Sequence, residues 1–206
     1  MKNEEFIQKL SQEPRKNKIE SSRKRFFKWF LSLIFCFLAG FSFLGIREEW
    51  RIVFKDPQLL MQNILLILIV ISASFSALVL SSPGSERKKS LKFFVLTPVF
   101  LWGVLLLFSF HQSPIAGNGY GCLQDILLFS TIPAILLFLV VKKGATILRS
   151  FSGFLILIAS TSAGAWALQF TCHNDGFAHL LVWHFIPVAT LGALGSFLGK
   201  KILRKI

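Results

Sequence analysis

The sequence predicts an all-α fold: a polytopic membrane protein built as a bundle of six transmembrane helices, with both termini cytoplasmic. Three observations carry that expectation. Hydrophobic residues make up 53% of the 206-residue chain and charged residues only 16%, where a soluble domain carries about 25% charged residues. Six apolar stretches come close to the ~20 residues that cross a bilayer as a helix. Lys and Arg are dense in one alternating set of joining segments and sparse in the other.

The stretches cover residues 26–46, 59–80, 93–110, 123–141, 148–170 and 180–198. Polar or turn-forming residues bound each one, among them Arg47 to Glu49, Pro83 to Lys89, Lys142 with Lys143, and Lys200 with Lys201. Basic residues are retained in the cytoplasm during insertion. Twenty of the 23 fall before or just inside the first stretch, between the second and third, between the fourth and fifth, or after the sixth, leaving Arg47, Arg51 and Lys55 for the opposite side. This asymmetry places both ends in the cytoplasm of a bacterium, with the chain in the inner membrane and Cys122 and Cys172 in the periplasm. It also accounts for the net charge of +13 without direct nucleic-acid binding.

Three segments follow: residues 1–25 as a cytoplasmic segment and tether, 26–199 as the transmembrane domain, and 200–206 as a basic cytoplasmic tail. The first 25 residues have no apolar region of the kind a signal peptide needs, so no cleavage is expected. Asn3 can cap a short helix there, with Glu4 and Glu5 in its first turn, where the helix dipole favours acids. Phe6, Ile7 and Leu10 then share one face. A helix this short is marginal alone in water, so it lies on the membrane or on a partner, and Pro14 to Arg25 reads as a basic tether.

Inside the spans, Ser160 with Gly164, Gly192 with Ser196, and Gly195 with Gly199 repeat the spacing that lets helices pack closely. Contacts within one chain are the first reading of these pairs and a homodimer interface the second. Pro98, Pro133 and Pro187 lie within spans, where neighbouring helices can satisfy freed carbonyls.

Ionisable groups inside a membrane mark ion pathways and catalytic sites, and the apolar stretches hold almost none. That argues against a pump, and the lack of a nucleophile and base on one face argues against an enzyme. Cys36, mid-span, reads as a small buried hydrophobe. Cys122 and Cys172 fall at similar depth on the oxidising side; a disulfide requires their Cα atoms within about 7 Å, a distance the sequence does not fix. His173, Asp175, His179 and His184 follow Cys172, and His111 and Asp125 stand at other ends on the same side. Thiolate and imidazole together suit zinc or copper, which makes His173, Asp175 and His179 the metal-ligand candidates. The spacing matches no standard zinc motif, and a step of five positions from His179 to His184 turns them to different faces of an α-helix. The plainer reading is interfacial histidines bonded to loop backbone, with no cofactor required.

The second half also resembles a known family. Gly121-Cys122-Leu123, Pro133, the basic turn Lys142-Lys143-Gly144-Ala145, the small-residue run from Ser160 to Ala167, Cys172, Trp183, Gly192, Gly195, Gly199 and Lys200-Lys201-Ile202-Leu203 are similar to NrsF-type anti-sigma factors. The resemblance is good over about residues 119 to 206, moderate in the N-terminal segment, and one of layout in the first three spans. It implies a six-span protein that holds an extracytoplasmic-function sigma factor at the membrane. Carried onto this chain, it implies Phe6, Ile7 and Leu10 as sigma contacts and Cys122 with Cys172 as a pair sensing oxidative or metal stress. The stretch after Cys172 departs from the family pattern in being richer in histidine. The competing class is a small metal-handling permease using the same Cys and His ligands.

Overall fold

The computed structural model describes residues 20–82, 90–109, 118–144 and 146–203. Phe6, Ile7, Leu10 and His111 lie outside the described residues. Among those described the chain is helical, with no strand: α1 (Ser22–Leu44), α2 (Ile52–Lys55), α3 (Pro57–Leu80), α4 (Ser90–Ser109), α5 (Tyr120–Lys142), α6 (Arg149–Leu168), α7 (Phe177–Leu180), a π-helical turn (Leu181–Phe185) and α8 (Ile186–Ile202). The last three run on as one rod, Phe177–Ile202, and with α1, α3, α4, α5 and α6 make six helices long and apolar enough to cross a membrane. The six expected spans are all present, their ends displaced by about one turn at most.

Local chemistry sets where the helices begin and end. The Asp56 carboxylate accepts from the amides of Gln58 and Leu59 at 2.8 and 2.9 Å, and Pro57 occupies the first position of α3. An acceptor cap followed by proline satisfies amides that have no partner inside the helix and presets the backbone. α1 stops at Gly45, whose φ of 78° is one that only glycine adopts without strain.

Two helices form the centre. The apolar windows of α6 and α3 are 78% and 67% buried, against 17% to 33% for the other four spans. α6 earns that place by size: Ser160, Thr161, Ser162, Ala163, Gly164 and Ala165 are all buried, and small side chains let neighbouring backbones approach. A Cβ on Gly153 would run into the carbonyl of Gly195 and the backbone of Gly199, and one on Gly164 would lie 2.7 Å from the carbonyl of Ile126. The glycines at 195 and 199 thus join α8 to α6 within the chain, and Gly164 draws α5 onto α6. Phe27, Phe35, Phe43, Phe93, Phe100 and Phe108 face outward, where hydrocarbon rather than water suits them.

Hydrogen bonds lock both ends of the bundle. At one end the buried Arg25, in the first turns of α1, donates to Ser81 Oγ at 2.7 Å and to the Leu78 carbonyl at 3.2 Å, closing the exposed end of α3. Arg149 Nη1 reaches the Leu203 carbonyl at the same end. In the middle, Trp29 Nε1 donates to the carbonyl of Pro133 at 3.0 Å and ties α1 to α5. At the other end the backbone amide of Arg47 donates to the carbonyl of Phe170 at 2.9 Å, binding the segment after α1 to the segment after α6.

Candidate functional site

The second of these ends carries the polar chemistry. Cys122 sits in the first turn of α5, and Cys172 lies four residues past α6, its amide still bonded to the Leu168 carbonyl at 2.8 Å. Because Gly164 lets the two helices close on each other, the two sulfurs come within 3.5 Å, both as free cysteines. His179 enters from α7, with Nε2 at 3.4 Å from Cys122 Sγ and 3.6 Å from Cys172 Sγ. His184 completes the group: one ligand atom from each of Cys122, Cys172, His179 and His184 can be chosen so that all lie within 4.8 Å of one another.

The two imidazoles meet although a regular α-helix would separate them. Their ring centroids are 5.6 Å apart and the rings meet edge to face at 68°. The cause is the π-helical turn Leu181–Phe185, in which bonds span five residues instead of four and bring positions five apart above one another. Pro187 supplies a reason for the widening. It has no N–H for the carbonyl of Trp183 four residues back, and its ring crowds that carbonyl.

Burial gives the cluster an unusual electrostatic setting. His184 is 0% exposed and His179 3%, and neither ring nitrogen of His184, nor Nδ1 of His179, has a hydrogen-bond partner within the protein. The Cys172 thiol is pushed down, first by the hydrogen bond from Cys122 and then by the nearness of the His184 imidazole, with burial opposing both.

Arg47 forms the surrounding wall. Its Nη1 donates to the Cys172 carbonyl at 2.8 Å and to both carboxylate oxygens of Asp175 at 2.9 and 2.8 Å. Trp183 closes another side, its ring filling the space where Gly119 has no side chain and meeting Tyr120 edge-on at 5.2 Å.

Of the three metal-ligand candidates, the structure brings only His179 to the sulfurs. His173 is exposed, and Asp175 is held by Arg47. The five-position step from His179 hides His184 in the sequence, and the signal that marks it is Pro187 three residues later. Arg47 reads in the sequence only as an exception to the charge pattern.

The fold and the site define a class: a six-span helical membrane protein with a cluster of two half-buried thiols and two buried imidazoles at one end of its bundle. The sequence model of the family described as negative regulator of sigma F, NrsF, matches residues 10–204. The chain belongs to that family, whose role is negative regulation and whose partner is a sigma factor. No curated protein and no solved structure matches the chain.

Proposed function

We propose that the protein is an anti-sigma factor of the bacterial inner membrane, with both termini cytoplasmic. It sequesters an extracytoplasmic-function sigma factor through its N-terminal segment and releases it when the periplasmic pair Cys122 and Cys172 senses oxidative or metal stress. The observation that carries this reading is the continuity from the cluster to α1. Arg47, three residues past the end of α1, bonds the Cys172 carbonyl, and α1 begins at its far end where the tether to Phe6, Ile7 and Leu10 attaches. α1 is the least buried span, so it has the fewest packing contacts opposing a shift. A change in the bonding of Cys172 moves the segment that Arg47 grips, and α1 carries that movement across the membrane.

The described parts fit a relay better than a pore. Transport sites lie near the bilayer midplane on interrupted helices, whereas this cluster stands at one end of the bundle. The close-packing glycines are occupied within the chain, which supports a monomer. A metal-handling permease is the second reading, favoured by the same Cys and His side chains, and zinc flux in proteoliposomes separates it from the first.

Capture of a sigma factor by the full-length protein in detergent tests the main reading. An amphipathic helix docks through a few apolar anchors, each worth about 2 kcal/mol or more at a hot spot. A Phe6→Ala, Leu10→Ala variant should lose capture by a factor of several hundred; capture at the wild-type level would remove the N-terminal segment from the interface.

A further inference from the structure

We infer that Cys122, Cys172, His179 and His184 are the four ligands of a zinc site that closes the end of the bundle. Zinc bound by two thiolates and two imidazoles is tetrahedral, with bonds of about 2.3 Å to sulfur and about 2.0–2.1 Å to nitrogen, so its edges are about 3.8 Å between sulfurs and about 3.6 Å between sulfur and nitrogen. The separations here are 3.5 Å between the sulfurs, and 3.4 and 3.6 Å from the sulfurs to His179 Nε2. Three corners of the tetrahedron are in place. His184, whose ligand atom lies within 4.8 Å of the others, completes the fourth with a movement of about 1.5 Å at most, the difference between that limit and the ~3.3 Å edge between two zinc-bound nitrogens.

Two further observations point to a cation. His184 is fully buried with both ring nitrogens unpartnered, and buried polar groups are almost always satisfied; coordination satisfies one of them. The charge also balances. Two thiolates and two neutral imidazoles cancel the charge of a divalent ion, and Arg47 and Asp175 cancel each other beside it, so nothing charged is left unpaired in a buried place. A monovalent copper ion in the same ligands would leave one negative charge. Binding forms two Zn–S and two Zn–N bonds and releases the thiol protons to water. A disulfide between the same sulfurs would remove both thiolates, so oxidation and zinc compete for one site.

The test uses the reduced full-length protein in detergent micelles and metal alone, with no sigma factor present, so its failure leaves the anti-sigma reading standing. One Zn2+ per chain is expected, and Co2+ in its place should show the thiolate charge-transfer band and the strong visible bands of tetrahedral coordination. His184→Ala and Cys122→Ser should each weaken zinc by more than the ~10–100-fold that loss of an outer-shell partner costs. His173→Ala should bind as the wild type does. Unchanged helicity and melting of the metal-free variants guard against misfolding, and the cobalt spectrum of the wild type stands without any variant. Absence of zinc binding by the reduced wild type, binding of Cu+ but not Zn2+, or wild-type affinity in His184→Ala would each overturn the site.

Discussion

Arg47 Nη1 donates at once to the carbonyl of Cys172 and to both carboxylate oxygens of Asp175, so one guanidinium nitrogen fixes the segment after α6 to the end of α1. The Arg47 side chain is 1% exposed and that of Asp175 30%. Removing one member of a fully buried pair costs about 3–5 kcal/mol, and the water still reaching Asp175 lowers this toward the ~1.5–3 kcal/mol of a hydrogen bond to a charged group. Arg47→Ala should therefore melt earlier in micelles yet keep its cysteines reduced and close. Its sigma-dependent reporter should stop following the stimulus. A reporter that responds normally would show that the connection through Arg47 carries no signal.

The two thiols should differ in reactivity. A thiolate attacks and a thiol does not, and the Cys172 thiol is pushed down by the hydrogen bond from Cys122 and by His184. A lowered thiol keeps its thiolate further down in pH than an ordinary thiol, near about 8.5, does, so the difference between the two should widen as pH falls. A membrane-impermeant maleimide applied to intact spheroplasts at pH 6 should mark Cys172 first, and mass spectrometry reads the ratio. Labelling that needs a breached membrane would place the cluster in the cytoplasm, and equal labelling of both would remove the asymmetry.

Much of this was legible in the sequence, for reasons that differ by residue. The spans declare themselves through hydropathy and their flanking charges, because lipid leaves few alternatives to a continuous helix. Cys122 and Cys172 could be placed at one depth from topology alone, since each ends a span on the same side. His184 could not, because a single extra residue in a helical turn changes which positions face each other, and the turn leaves no mark beyond Pro187. Arg47 was hidden for another reason. A lone basic residue after a span looks like a topology exception until the carbonyl and carboxylate that bury it are known.

Gly153 offers a test of the packing that holds the bundle centre. An added side chain meets the Gly195 carbonyl and the Gly199 backbone, neither of which can rotate aside as a flexible side chain would. Overpacking of this kind costs about 1–3 kcal/mol or more. Gly153→Leu should lower the yield of folded protein and its melting temperature. Gly121, next to Cys122 in sequence, has open space where a Cβ would stand, so Gly121→Ala should stay within about 0.5 kcal/mol of the wild type. Equal melting of the two variants would mean that α6 and α8 are not in backbone contact.

The thiols themselves supply the decisive experiment for sensing. To carry a sigma-bound population from 99% to 1%, a stimulus must stabilise the released state by about 5.5 kcal/mol relative to the bound one. A change in surface charge supplies about 1 kcal/mol at best. Closing or opening a disulfide is worth about 2–4 kcal/mol, and metal ligation about 10 kcal/mol or more in structural zinc sites. Among the described groups at this end of the bundle, metal ligation through Cys122 and Cys172 reaches the required size, and a disulfide between them supplies a large part of it. A Cys122→Ser, Cys172→Ser protein keeps the basic clusters that orient the chain and the Phe6, Ile7 and Leu10 face. It should still hold the sigma factor, with reporter output as low as that of the unstressed wild type, and should stay silent when oxidant or metal is added. Full induction in this variant would make the thiols bystanders, and a reporter already on without stress would mean that the reduced pair is needed to hold the repressing conformation.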